Sequence, residues 1–275
     1  MKSLKARLLT AGIGIPSLII LILIATKFPP ILSVIVGVAS AFMVGEFLNA
    51  KGLLKNYSLS VPCMLFSVAI SLLMTTRYIY IAIAVFLILI FTVMITHHER
   101  ISFIDVAYSI TGVSLISFGM SSFAAICSNS KTLAFLFIVV FALPWMADAG
   151  GFFVGASLGK HKLCPKISPK KTVEGAFGGV VFCVITSVIV GLIFKLIIIP
   201  DANINFFALI LIGIIDAPVS ILGDLSFSLI KRSLDVKDYG SIFPGHGGML
   251  DRFDSIIFTA PVVVAVNMFL PLITF

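Results

Sequence analysis

Apolar residues in this chain gather in long blocks instead of recurring at helix or strand intervals. Runs such as Ile13 to Ala25, Pro30 to Phe47 and Tyr78 to Thr96 hold almost no charge. A helix needs about 20 apolar residues to cross a hydrocarbon core roughly 30 Å thick, so such blocks read as membrane spans. The pattern predicts nine of them, near residues 8–26, 29–48, 58–76, 78–96, 104–127, 132–148, 174–198, 203–224 and 254–274. Only Arg77 and its neighbours separate the third span from the fourth, which predicts a tight helical hairpin. The expected fold class is therefore all-α, a polytopic integral membrane helical protein. Residues 1–130 would form a scaffold of about five spans, and residues 131–275 a region carrying the chemistry and two polar loops.

Composition agrees with that pattern. Of the 275 residues, 60% are hydrophobic and 11% charged, against roughly 25% charged in soluble domains. Lys2, Lys5 and Arg7 ahead of an apolar run imitate a signal peptide, but no small-residue cleavage site closes the run, so it reads as a span. With the N-terminus placed in the cytoplasm, all but four of the 19 Lys and Arg fall on the inner side; Lys27, Arg77, Lys131 and Lys195 are the exceptions. That positive-inside bias puts both polar loops in the cytoplasm, where nucleotides are found, and the protein in the cell (inner) membrane. It also accounts for most of the net charge of +7. No basic patch interleaved with aromatics appears, so nucleic acid is not an expected partner, whereas anionic membrane lipid is. The cysteines, Cys63, Cys127, Cys164 and Cys183, lack paired or metal-ligand spacing and read as small packing residues.

Chemically suggestive groups are sparse before residue 130. Glu46 reads as interfacial, and His97 and His98 as a solvated turn, because adjacent residues point to different helix faces. Density rises after Pro144. Asp148 closes the sixth expected span as a buried carboxylate followed by flexible Gly150 and Gly151, and ionisable groups at such depth are usually functional. Ser168, Pro169, Thr172 and Glu174 read as a helix start, and its open N–H groups beside Lys170 and Lys171 suit a phosphate.

The stretch from Ser228 to Asp254 concentrates carboxylates, cations and glycines between apolar blocks. At 100° per residue, Asp224, Ser228 and Lys231 lie within about 60° of one another, a polar stripe leaving the eighth span. Asp216 lies about 80° from Asp224, placed either to line the same cavity or to pair with a neighbouring helix. Pro244 to Gly248 break any helix, and Asp251, Arg252 and Asp254 open the ninth span, with Asp251 and Asp254 on one face. Together with Asp224 these carboxylates suit Mg²⁺, which takes oxygen ligands and often only one or two from protein. His246 suits a phosphate or structural hydrogen bond better than a hard cation. On the residues alone, the reading is metal-dependent phosphoryl or nucleotidyl transfer at the inner face.

The run Ser228-x-Ile230-Lys231-Arg232-x4-Lys237-Asp238-x-Gly240-x2-Phe243-Pro244-x-His246-Gly247-Gly248-Met249-x-Asp251-Arg252-Phe253-Asp254 resembles the signature of the phosphatidate cytidylyltransferase, or CDP-diacylglycerol synthase, family. Asp148-x-Gly150 and Ser168-Pro169-Lys170-Lys171-Thr172-x-Glu174-Gly175 resemble it too, with Val173 where the family commonly has an aromatic residue. The resemblance implies that CTP and phosphatidate give CDP-diacylglycerol and pyrophosphate with Mg²⁺, in a polytopic and often dimeric protein. It assigns metal binding to Asp224 and Asp251, and catalysis is expected of these two with Lys231 and Arg252. Asp148, Ser168, Lys170, Lys171, Thr172, Glu174, Ser228, Arg232, Lys237, Asp238, His246, Gly247 and Gly248 would contact substrate. A second, monovalent cation is left open. The alternatives are a CTP-dependent lipid kinase, which would make CDP, and a lipid transporter using Asp148, Asp216 and Lys195.

Overall fold

A computed structural model of the chain describes residues 20–126, 130–242 and 247–275. Most of the first expected span, and His246, lie outside them. Helical residues 20–27 lead into α1 (Pro29–Ala50), α2 (Tyr57–Leu73), α3 (Ile79–Thr96), α4 (Phe103–Ile126) and α5 (Ser130–Leu158). A hairpin of β1 (Lys162–Cys164) and β2 (Ser168–Thr172) follows, then α6 (Val173–Ile193), which continues as a π turn (Phe194–Ile198). Next come β3 (Asn203–Ile204), α7 (Phe206–Ser233), α8 (Leu250–Phe269) and β4 (Ile273–Thr274).

Among the described residues, 7 helices are long and apolar enough to cross a membrane, and the polytopic helical fold class is borne out. The third expected span is the 17-residue α2, which contains Pro62, and α2 and α3 form the expected tight hairpin across residues 74–78. Helix α3 is apolar all round and buries only Phe86 and Ile90. Tyr80, Ile81 and Ile88 point outward at 76%, 60% and 67% exposure, a surface suited to lipid tails and not to water.

The chain divides into two compact units, one built from the chain up to Ser130 with Ser233–Phe253, the other from Lys131–Arg232 with Asp254–Phe275. Residues 233–253, which the sequence grouped with the C-terminal region, thus pack in the first unit. In that unit α1, α2 and α4 pack against one another. Phe47 stacks on Tyr108 with ring centroids 4.3 Å apart, and Tyr108 donates its hydroxyl to the Phe47 carbonyl at 2.7 Å. Gly112 leaves room for the Phe47 ring, which a Cβ there would overlap. Ser102 and Asp105 cap α4 reciprocally, Ser102 N–H to Asp105 Oδ2 at 3.0 Å and Asp105 N–H to Ser102 Oγ at 3.2 Å. Lys51 closes the corner by pairing with Asp105 at 2.7 Å.

In the second unit, α5 and α6 meet along a seam of small residues. A Cβ on Gly150 would stand 2.7 Å from the Gly178 carbonyl, and one on Gly179 2.9 Å from the Ala147 carbonyl. Between apolar helices in lipid, such close backbone approach supplies the attraction that the hydrophobic effect supplies in water. Here the sequence reading is corrected: α5 does not end at Asp148 but runs ten residues farther to Leu158, and Gly150 and Gly151 are helical packing positions, not flexible backbone. At the far end, Asn203 and Ile204 pair with Thr274 and Ile273, tying the start of α7 to the chain end.

The seam makes a prediction from two adjacent glycines. Gly150→Ala should lower the melting temperature in detergent, by the equivalent of about 1–3 kcal/mol of overpacking. Gly151→Ala should be neutral or slightly stabilising, because its Cβ would meet only the Gly175 carbonyl, at 3.6 Å. Equal melting of the two variants would contradict the seam.

Candidate active site

Helix α7 carries the expected stripe. Its apolar residues keep it helical from Phe206 to Ser233, and Ser228 donates its hydroxyl to Asp224 Oδ1 one turn away at 3.2 Å. Asp224 Oδ2 pairs with Lys171 Nζ at 2.5 Å, with both side chains about a quarter exposed. Lys231, one turn beyond Ser228, is buried at 8% exposure. Asp254, at the start of α8, is half-buried and feels the charges of Asp224, Lys231 and Asp148. Gly223 permits this approach, because a Cβ there would stand 2.8 Å from the Asp254 carbonyl. The second unit thus gathers Asp148, Asp224, Asp254, Lys171 and Lys231.

A cavity of about 160 Å³ opens beside them, lined by Asp148, Gly151, Phe152, Lys170, Lys171, Thr172 and Ile221 among others. Asp148 departs from its expected burial: it is exposed, on α5 well before the helix end, and faces this cavity. Asp216 is fully buried on α7, does not line the cavity, and neither of its oxygens meets a protein donor among the described residues. Lys195 is occupied at the opposite end of α6, donating to the carbonyls of Pro200 at 3.0 Å and Ala202 at 2.8 Å.

The segment before α6 is corrected in part. Ser168 and Pro169 lie in strand β2, not at a helix start, and the cap is Thr172, whose Oγ1 accepts the Gly175 N–H at 3.1 Å. The Val173 N–H goes to the His161 carbonyl at 2.9 Å, so two of the early donors of α6 are already used. What remains suited to an anion is the pair Lys170 and Lys171 on the strand that enters the helix. Glu174 reaches back over the hairpin, accepting the N–H groups of Lys160 and His161 at 3.1 and 3.2 Å, with His161 Nδ1 2.6 Å away.

In the first unit Gly240, Gly247 and Gly248 lie against two carboxylates, Glu46 and Asp251. Asp251, in the first turn of α8, accepts the N–H groups of Tyr239 and Gly248 on Oδ2, both at 2.9 Å. Gly247 has φ +86°, a conformation glycine adopts without strain, and Gly248 is buried. Arg232 in the second unit and Lys237, Asp238 and Arg252 in the first present exposed side chains. The residue that sequence reasoning missed is Glu46. It is buried at 8% exposure, accepting the N–H groups of Met249 at 3.0 Å and Leu250 at 2.8 Å. A lone carboxylate inside the block Pro30 to Phe47 was the available signal, since such a charge is costly without partners.

No three acidic, histidine or cysteine side chains among the described residues converge to hold a metal on protein ligands alone. Mg²⁺ that takes one or two carboxylate oxygens from protein, and the rest from phosphate and water, fits the donor set here, which is all oxygen and balanced by lysine.

These features define a multi-pass membrane protein with clustered carboxylates and lysines suited to anionic phosphate. Residues 5–270 match the cytidylyltransferase family. A phosphatidate cytidylyltransferase of Staphylococcus epidermidis is 38% identical over 178 residues, 65% of this chain and 64% of that protein. One from Staphylococcus aureus is 34% identical over 271 residues, 94% of this chain and 97% of that protein. The chain belongs to the cytidylyltransferase family, as the motif resemblance implied.

The Glu174 contacts yield a local prediction. Glu174→Ala should speed amide hydrogen exchange at Lys160 and His161 by about tenfold, the worth of a charge-assisted hydrogen bond, with the α6 amides beyond Gly175 unchanged. Unchanged exchange at both residues would refute the clasp.

Proposed function

We propose that this protein is a phosphatidate cytidylyltransferase that forms CDP-diacylglycerol and pyrophosphate from CTP and phosphatidate at the cytoplasmic face of the membrane. The observation that carries the reading is the Lys171–Asp224 pair beside a cavity shared with Asp148 and Lys170, in a chain whose relatives bear that name over nearly its full length. The pair joins the two charge types the reaction requires. The positive-inside bias supports the choice of face.

In the proposed reaction an anionic phosphate oxygen of phosphatidate attacks the α-phosphorus of CTP. A new P–O bond forms, the α–β bridging bond breaks, and its electron pair leaves with pyrophosphate. The nucleophile is already ionised near neutral pH, so no side chain has to remove a proton, and positioning with charge neutralisation suffices. Lys170, Lys171, Lys231, Arg232 and Arg252 bind the phosphates of substrate and leaving group. Asp224 and Asp251 are the carboxylates assigned to Mg²⁺, which when bound supplies positive charge to the triphosphate. Thr172 and Glu174 hold the lysine-bearing strand in place, and Ser228 orients Asp224.

The test is pyrophosphate release by detergent-purified protein given CTP and Mg²⁺, with and without phosphatidate. Lipid-dependent pyrophosphate is expected, abolished by chelator and lowered at least about 100-fold in Asp224→Asn and Asp251→Asn while both variants remain folded. CDP in place of pyrophosphate would identify γ-phosphate transfer instead. Near wild-type turnover by either variant would overturn its assignment as a metal-binding carboxylate.

A further inference from the structure

Within the first unit, the N-terminus of α8 is held from below by a side chain two hundred residues earlier in the chain. Glu46 spreads its carboxylate across two consecutive backbone donors, Oε1 to Met249 N–H and Oε2 to Leu250 N–H. These belong to the residue before α8 and to its first residue, donors that no carbonyl within the helix can satisfy. The next residue is Asp251. Its own Oδ2 takes the N–H groups of Tyr239 and Gly248, so the two carboxylates together fix both sides of the turn that presents Asp251.

Two glycines of this stretch are explained by the same carboxylate. A Cβ on Gly248 would stand 2.7 Å from both Glu46 oxygens, and one on Gly240 would overlap Oε1. Phe47, the neighbour of Glu46, lies against Tyr239 with ring centroids 5.9 Å apart, so α1 grips the loop at two adjacent positions.

We infer that Glu46 is a positioning residue for the transfer reaction: its carboxylate sets the start of α8 and thereby the Asp251 carboxylate that the proposed function assigns to Mg²⁺. The inference rests on that assignment of Asp251. A carboxylate buried in an otherwise apolar helix is kept because both of its oxygens are paired and because its negative charge favours the positive end of α8. Glutamine would keep its volume but offer one acceptor to two donors.

The experiment compares Glu46→Gln, Gly240→Ala and Asp251→Asn in detergent-purified full-length protein. Gly240→Ala displaces the Glu46 carboxylate without changing charge, and covers the case in which Glu46→Gln does not fold. Two readouts are taken: amide hydrogen exchange over residues 247–253, and the Mg²⁺ concentration giving half-maximal pyrophosphate release. In Glu46→Gln and Gly240→Ala, exchange at Met249 and Leu250 should accelerate. Half-saturating Mg²⁺ should rise about 10- to 100-fold, the usual cost of losing a group that orients a metal ligand. If turnover falls with thermal stability while half-saturating Mg²⁺ is unchanged, Glu46 is structural only and the inference fails. Wild-type Mg²⁺ dependence in Asp251→Asn would instead overturn the assignment of Asp251 on which the inference rests.

Discussion

Hydrocarbon offers no hydrogen bonds, and that deficiency governs where most of the described charged groups are found, Asp216 being an exception. Backbone donors must be satisfied inside helices, so the apolar blocks have no alternative to becoming helical. Charged side chains must find partners or reach an aqueous edge. Glu46 survives inside α1 because two backbone donors of α8 receive it, and Asp224 because Lys171 and Ser228 do. The glycine seam between α5 and α6 belongs to the same logic, since helices that gain nothing from excluding water must attract by close contact.

The proposed reaction makes modest demands on such a scaffold. Its nucleophile arrives ionised, and its leaving group departs as a stable anion, so the protein has to supply charge and position more than proton transfer. Rigid helices are well suited to that task. The polar stripe of α7 is one turn of helix repeated, and its spacing cannot drift. Ahead of α8, Gly248 and Met249 are held instead by the carboxylates of Asp251 and Glu46.

Much of this was legible in the sequence because it is periodic or composed of long uniform blocks. Block length identified the helices, and 100° spacing put Asp224, Ser228 and Lys231 on one stripe, which the Ser228–Asp224 hydrogen bond bears out. The motif resemblance gave the family. The errors have a common physical source, in that local propensity was read where tertiary contact decides. Gly150 and Gly151 look like a helix end in isolation, yet both lie inside α5, and opposite α6 Gly150 has no room for a Cβ. Ser168 and Pro169 look like a cap, yet pairing with β1 draws them into a strand and leaves capping to Thr172. Glu46 had no local partner, and its role depends on residues that only folding brings near.

Helix α7 is 28 residues long with Pro218 inside it, and at 1.5 Å per residue its path is about 42 Å. That exceeds a hydrocarbon core of roughly 30 Å. A helix of that length can reach past the core unless strongly tilted, and on the proposed function its charged end with Lys231 and Arg232 would stand at the level of the lipid headgroups. A diacyl substrate would need no extraction from the bilayer to meet it. The acyl chains would stay dissolved throughout, and traffic to and from the proposed site would become diffusion in two dimensions, with only the nucleotide and pyrophosphate exchanging with water.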